Sequence, residues 1–196
     1  MPSDPTILAF DTSAAHCAAA LLRDDEIVAS RAEAMSRGQA ERLMPLLEEV
    51  LAGADCAWKD LDAIGVGVGP GNFTGIRISV SAARGLALGL AVPAVGVTGF
   101  DALASIAPTG QIPAIPAPRE QVYVGTDGAG PRLITRDEAA ALAPLFFCSD
   151  PELQAKAIAR ITACRWTTGQ NAPAPLYVRP ADAAPSSDVP PALLDE

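Results

Sequence analysis

A glycine-rich segment between a buried strand and a long helix is the feature that most constrains the fold of this chain. Residues 63–68 are apolar or glycine and predict a fully buried strand, and residues 69–75 (GPGNFTG) follow at once. From about residue 76 to 90, apolar residues recur at helical spacing. A strand, a tight glycine-rich turn and a helix in this order predict an α/β unit.

The flanking segments extend this unit at both ends. Short apolar runs bounded by polar turns predict strands at 6–10, 17–22, 27–31 and 94–97. A second amphipathic helix is predicted at about 39–52, where Pro45 indicates a kink or a delayed start. We therefore expect an antiparallel meander at one end of the sheet and parallel strands at the other.

A proline-rich stretch, residues 108–118, predicts a domain boundary. The expected division is a first lobe at 1–106, a smaller α/β lobe at 107–180 and a mobile tail at 181–196. The second lobe is predicted to contain a strand at 121–126, a short helix at 136–142, and a strand end followed by a helix within 148–163.

Composition excludes several classes of protein. The chain has 196 residues, is 49% hydrophobic and carries a net charge of −9. It is too apolar to be disordered, and too acidic to hold RNA or DNA through its general field. It has a single histidine, His16, and four cysteines without a C-x-x-C pair, so neither a metal site nor a cofactor is predicted. No basic segment precedes an apolar run at the N-terminus, which favours a cytoplasmic location.

The glycine-rich loop has two interpretations. Backbone N–H groups at Gly69, Gly71, Thr74 and Gly75 could form an anion site at the start of the helix. Alternatively, the glycines only solve a problem of backbone geometry. No lysine follows Gly75, so the loop is not a P-loop, and it does not fit the dinucleotide-binding fingerprint.

The turn after the first strand is the second candidate. Asp11, Thr12 and Ser13 could hold a hydrated Mg²⁺ beside a nucleotide phosphate, or could form an ordinary turn. Together with the glycine-rich loop, they make up at most a vestigial phosphate-binding site. A hydrolytic triad of Asp11, Ser13 and His16 is not expected, because the three residues lie too close together in one turn.

The two amphipathic helices are the third candidate, as a protein–protein interface. The second helix carries small residues around much of its circumference, which favours contact on more than one face. The alternative is that both helices only pack on the chain's own sheet. The predicted interface consists of Leu43, Met44, Leu47, Val50, Arg77, Val80, Ala83, Arg84 and Ala87.

Three motifs resemble those of a known family. Residues 7–13 (ILAFDTS), 69–77 (GPGNFTGIR) and 175–180 (PLYVRP) are similar to segments of the bacterial TsaB (YeaZ-type) proteins of the glycoprotease family. The match is dense over about 6–106 and thin afterwards. The resemblance implies an actin/Hsp70-type ATPase-like (ribonuclease H-like) fold with two α/β lobes, of which the second is reduced here.

The resemblance also implies a function. TsaB-type proteins are non-catalytic subunits that pair with a homologous catalytic TsaD-type subunit and engage a TsaE-type ATPase. The assembly forms N6-threonylcarbamoyladenosine at position 37 of tRNAs that read A-starting codons, so contact with tRNA would be indirect. The two helices would form the partner interface, which isolated members can use to form homodimers. The catalytic paralogue holds its metal with a histidine pair on the first helix, where residues 39–43 of this chain read QAERL.

An alternative function is an ATP-dependent phosphotransferase of the sugar- or acetate-kinase type on the same fold. Asp11 and the loop at 69–75 would then hold phosphate. Such an enzyme needs a second acidic residue and an adenosine-binding loop, and no convincing one follows residue 110. A peptidase is not expected either, because no nucleophile–His–acid set is present.

With the family motif in view, we expect that the glycine-rich loop mainly sets the angle at which the helix at 76–90 begins.

Overall fold

The computed structural model describes residues 5–126, 130–168 and 171–178, so the predicted tail at 181–196 lies outside the described residues. Five strands form the first sheet: β1 (Ile7–Asp11), β2 (His16–Arg23), β3 (Glu26–Ala34), β4 (Ala63–Gly67) and β5 (Ala94–Val97). Their order is β3-β2-β1-β4-β5. The first three strands pair antiparallel, whereas β4 is parallel to β1 and β5 is parallel to β4. The predicted meander with parallel additions is therefore confirmed.

Four further strands form a second, smaller sheet in the order β8-β7-β6-β9. They are β6 (Ile112–Ala117), β7 (Gln121–Thr126), β8 (Gly130–Thr135) and β9 (Leu145–Phe146). The helices of the described chain are α1 (Gln39–Ala52), α2 (Phe73–Leu90), α3 (Gly99–Ala104), α4 (Arg136–Ala140) and α5 (Pro151–Arg165), with a single 3-10 turn at Trp58–Asp60. None of these helices is long and apolar enough to cross a membrane.

Helices α1 and α2 cover one face of the first sheet. They bury a continuous apolar stripe, since every side chain of this set is at most 3% exposed: Leu43, Leu46, Leu47, Val50, Leu51, Ile76, Val80 and Ala83. Helix α1 continues through Pro45, so the predicted delay in its start is wrong. Pro45 is exposed, and the carbonyl group that its ring leaves without a donor can be solvated.

Helix α5 covers the opposite face of the same sheet, although the sequence places it in the second lobe. Its buried residues are small, and Ala155, Ala159 and Ile158 pack in one cluster with Ile7 and Ala9 of β1. Alanines allow a helix to approach a sheet closely. The first lobe is therefore assembled from residues on both sides of the second lobe in sequence.

The proline-rich stretch, where a domain boundary is predicted, contains β6, which is the first strand of the second sheet. Strand β6 pairs with β7 over Ala114–Ala117, whereas β9 pairs only with Ile112 and Pro113. Pro116 therefore lies where β6 has a neighbour on one side only, which is where a sheet tolerates a residue without an N–H group. The core of this second lobe is small, consisting of Ala114, Val122, Val124 and Ala139.

The last described segment, residues 171–178, returns to the first lobe and is called the C-terminal strap below. The N–H of Leu176 donates to the carbonyl of Val68 at 2.8 Å, just beyond the end of β4. The Leu176 side chain packs against the core beneath α1 and α2. The strap thus closes the first lobe beside the start of α2.

Candidate functional site

The Asp11–Ser13 turn and the glycine-rich loop lie in direct contact. The N–H of Asn72 donates to the Ser13 carbonyl at 2.6 Å, and the Thr12 hydroxyl donates to the Gly75 carbonyl, also at 2.6 Å. A Cβ atom at Gly71 would overlap the Ser13 carbonyl oxygen, and one at Gly75 would overlap the Thr12 carbonyl oxygen. The glycines are therefore needed for a close backbone approach, and the chain's own turn fills the space in front of the loop.

The start of α2 is capped from within the same loop. The Asn72 side chain accepts a hydrogen bond from the Gly75 N–H at 2.8 Å, and α2 begins at Phe73, three residues earlier than its apolar stripe predicts. The amides of Asn72 and Gly75 are thus both bonded to protein oxygens. Gly69 has φ of +93°, a conformation that favours glycine, and Thr74 is exposed. This geometry favours the backbone interpretation of the loop over an anion site.

Asp11 anchors a buried polar cluster at the end of β1. Its carboxylate is 0% exposed, and its Oδ2 accepts from the Ser13 hydroxyl at 2.9 Å and lies 2.8 Å from His16 Nε2. Its Oδ1 has no partner among the described residues. A Cβ atom at Gly67 of β4 would overlap this carboxyl group, so glycine is needed there to make room for it.

The structure brings together the three residues that the sequence rejects as a triad. Both Ser13 and His16 bond to Asp11, however, whereas in a triad the histidine stands between the serine and the acid. The cluster therefore does not activate a nucleophile. Sequence reasoning missed the pairing of His16. The signal available was its position at the start of β2, opposite the end of β1 across a tight turn.

A cavity of about 700 Å³ separates this cluster from the second lobe. Ser13, His16 and Asn72 line one wall, and Tyr123 and Gln154 contribute to the lining from β7 and α5. No lysine or arginine is among the described residues that line it. Phosphates are usually held by cationic side chains or by unpaired backbone amides, so the cavity does not favour the phosphotransferase alternative. The described residues also contain no group of three or more His, Cys, Asp or Glu side chains placed to hold a metal ion.

The structure corrects part of the predicted interface on the two helices. Five of the nine side chains lie in the chain's own core and are at most 3% exposed: Leu43, Leu47, Val50, Val80 and Ala83. The apolar stripe that suggested an interface therefore packs on the sheet. Arg77 and Arg84 are exposed, Met44 is 37% exposed and Ala87 is half-buried. The surface offered by α2 also includes Leu88, which is 86% exposed and was not predicted.

An ion-pair network fixes α1 against the edge strand β3. Arg42 donates to Glu33 of β3 at 2.6 Å and to Glu49, two turns further along α1, at 2.8 Å. Arg31 of β3 also approaches Glu49, at 3.1 Å. The hydrogen bond from Arg42 lowers the pKa of Glu33 from 4.5 to about 2. The network holds the exposed face of α1 in a fixed orientation.

The exposed faces of α1 and α2 carry opposite charge. Helix α1 presents Glu41 and Glu48 to solvent, whereas α2 contains Arg77 and Arg84 and no acidic residue. Neither arginine of α2 has a carboxylate partner among the described residues. Two adjacent helices therefore form a surface that is acidic on one side and basic on the other.

Comparisons with known proteins agree with this geometry. The model of the family described as "TsaD: tRNA N6-adenosine threonylcarbamoyltransferase" matches residues 25–146. The "tRNA threonylcarbamoyladenosine biosynthesis protein TsaB" of Escherichia coli is 38% identical over 92 residues, which cover 47% of this chain and 39% of that protein. An uncharacterised protein of Mycobacterium tuberculosis is 32% identical over 201 residues, covering 92% of this chain and 94% of the relative. YeaZ from Pseudomonas aeruginosa, a solved structure, superposes with a TM-score of 0.69 at 27% identity, over 88% of this chain and 99% of that one.

The strand order, the two α/β lobes and the turn-and-loop junction define an actin/Hsp70-type, ribonuclease H-like protein with a reduced second lobe. The chain belongs to the family of the matching model, and its similarity to the curated TsaB proteins and to YeaZ is of the TsaB (YeaZ) type. It spans about half the length of the curated TsaB proteins that it matches, from 39% of the E. coli protein to 54% of the Bacillus subtilis protein.

Proposed function

We propose that this chain is a non-catalytic scaffold subunit of the cytoplasmic assembly that forms N6-threonylcarbamoyladenosine at position 37 of tRNAs reading A-starting codons. It would pair with a TsaD-type catalytic homologue, engage a TsaE-type ATPase and meet tRNA only through the complex. Membership of the TsaB-type family supports this role. The observation that carries it is the exposed surface formed by α1 and α2.

Apolar exposure is concentrated on this surface. Six large apolar side chains are exposed among the described residues, and four of them, Met44, Phe73, Leu88 and Tyr177, belong to α1, α2 or the C-terminal strap. Single exposed apolar residues are common, but a group of them on one face is typical of a protein–protein contact. A partner helix would remove these side chains from water.

The charge pattern supports a homologous partner with helices in the same positions. A two-fold arrangement in which α1 of each copy faces α2 of the other brings Glu41 and Glu48 towards Arg77 and Arg84. A homologue with the same two helices can use the same arrangement. We therefore expect a homodimer in isolation and a heterodimer when the TsaD-type subunit is present.

A scaffold role is also supported by the junction between turn and loop. The amides of Asn72 and Gly75 are bonded to Ser13 and to the Asn72 side chain, and the interlobe cavity has no cationic side chain in its described lining. These features favour a subunit that leaves chemistry to its partner.

The test is reconstitution of the modification from purified components. An unmodified tRNA transcript is incubated with a threonylcarbamoyl donor, the TsaD-type homologue and the TsaE-type ATPase with ATP, with or without this chain. Digestion to nucleosides and mass spectrometry measure N6-threonylcarbamoyladenosine. We expect product only when this chain is present and none when it is the only protein. Equal product without the chain, or transfer by the chain alone, would overturn the proposal.

A further inference from the structure

The C-terminal strap makes an exposed aromatic contact with the first turn of α2. The rings of Tyr177 and Phe73 stack with their centroids 4.9 Å apart and their planes at 29°. The guanidinium carbon of Arg77 lies 3.9 Å from the centroid of the Phe73 ring, and its Nε donates to the Tyr177 hydroxyl at 3.0 Å. One strap residue therefore fixes two α2 side chains that lie one helical turn apart.

The strap is anchored independently of this contact. Leu176 bonds to Val68 through its backbone and packs its side chain into the core. Pro173 lies against Gly96 of β5, where a Cβ atom would be 3.5 Å away. Tyr177 and Phe73 remain 42% and 37% exposed in spite of their stacking. The two aromatic side chains are thus not packed into the core of this chain. It is Leu176 that fixes the position of the strap.

The C-terminal strap and α2 form one continuous surface, which contains two cavities. Pro175 of the strap meets Arg77, Val80 and Arg84 around a cavity of about 360 Å³. A second cavity, of about 510 Å³, lies between the same Arg84 and the strap residues Ala172 and Pro173, and Leu88 also lines it. Because Arg84 belongs to both, the surface runs from Tyr177 along α2 to Leu88.

The charge of this surface differs from that of the whole chain. The protein has a net charge of −9, yet this surface carries two arginines without carboxylate partners among the described residues. Uncompensated cations beside apolar side chains match a partner surface in which carboxylates flank an apolar stripe.

We propose that the C-terminal strap and α2 together form the docking surface for a helix of the TsaD-type partner that carries carboxylates beside its apolar residues. Tyr177 is a positioning residue: it holds Phe73 and Arg77 in the conformation that the partner meets, and so lowers the ordering cost of binding. This inference rests on the proposed function. It adds a chain segment remote in sequence to the partner surface, and it states the chemistry of the partner helix.

The experiment compares affinities of full-length variants for the purified TsaD-type homologue by isothermal titration calorimetry. Tyr177→Ala should weaken binding at least about tenfold, as is typical of an aromatic residue at the centre of an interface. Tyr177→Phe keeps the stacking and loses the hydroxyl bond to Arg77, so a smaller loss is expected. Arg84→Glu should also weaken binding at least about tenfold, by repulsion. Arg160→Glu is the matched control, since it makes the same charge change at an exposed position of α5 on the opposite face.

The outcomes separate this inference from the proposed function. If the wild-type chain binds the homologue and the Tyr177 and Arg84 variants bind equally well, the inference is overturned while the proposed function stands. If the wild-type chain does not bind, both are overturned. Circular dichroism and thermal unfolding are recorded for each variant. Should Tyr177→Ala fail to fold, an unchanged affinity of both Tyr177→Phe and Arg84→Glu overturns the inference.

Discussion

Two glycines of the same helix should respond to alanine with opposite sign. Gly75, in the first turn of α2, is buried, and a Cβ atom there would overlap the Thr12 carbonyl oxygen. Gly85, in the fourth turn, is exposed and has nothing within 4 Å of the same position. Gly75→Ala should therefore destabilise the protein, whereas Gly85→Ala should stabilise it.

The magnitudes follow from the contacts at each site. Overpacking costs about 1–3 kcal/mol, and the upper end applies at Gly75 because a backbone carbonyl cannot rotate away. The hydrogen bonds of Gly75 to Thr12 and to Asn72 would be strained, at a cost of about 1 kcal/mol each. Alanine gains about 1 kcal/mol over glycine inside a helix. A net loss of about 4 kcal/mol is expected for Gly75→Ala and a gain of about 1 kcal/mol for Gly85→Ala.

Urea unfolding followed by tryptophan fluorescence measures both changes. The midpoints should move in opposite directions with an unchanged dependence of the free energy on urea concentration. A loss of about 4 kcal/mol is a large part of a typical domain's stability, so the Gly75→Ala variant is expected to retain only a small free energy of unfolding. If the free energies of unfolding of the two variants differ by less than about 1 kcal/mol, the inferred contact between the Asp11–Ser13 turn and the glycine-rich loop is wrong, since overpacking alone costs that much.

Two further predictions test the surroundings of α1. Leu47 is 0% exposed and Met44 is 37% exposed. Leu47→Ala should therefore lower the free energy of unfolding by about 2–5 kcal/mol, and Met44→Ala by less than about 1 kcal/mol. Equal losses would contradict the assignment of Leu47 to the core. The second prediction concerns Glu33, whose pKa is lowered from 4.5 to about 2 by its hydrogen bond from Arg42. The stability that this pair contributes is therefore present above pH 4.5 and is lost as the pH falls towards 2. Arg42→Gln should raise the pKa of Glu33 and shrink this pH dependence, and a carboxyl NMR titration that finds Glu33 near 4.5 in the wild type would refute the pairing.

Local sequence patterns are sufficient for the elements of the first lobe. Alternating and continuous apolar runs predict its five strands, and the 3.6-residue stripe predicts both α1 and α2. The start of α2 is misplaced by three residues because its first turn is defined by the Asn72 cap and not by apolar spacing. Strand β6 is missed because Pro113 and Pro116 favour a boundary over a strand, although each proline has a paired strand on one side only.

The candidate surfaces depend on information that no local pattern contains. A stripe of Leu43, Leu47, Val50 and Val80 predicts that these residues are buried, but not whether the chain's own sheet or a partner buries them. The sheet buries them, because α1 and α2 both pack on the same face of the first sheet. The surface proposed to meet a partner is consequently the opposite side of the helices, with Leu88 and the two arginines of α2.

The sequence by itself determines that this chain folds into an α/β protein with a glycine-rich junction before α2, because strand and helix periodicity and the need for glycine are properties of neighbouring residues. Tertiary structure alone decides what that junction does. It places the Asp11–Ser13 turn against Gly71 and Gly75, so that the amides are used within the chain, and it brings Tyr177 to Phe73 across 100 residues of sequence. These contacts join segments that are remote along the chain, and only the packing of the whole first lobe sets the distance between them.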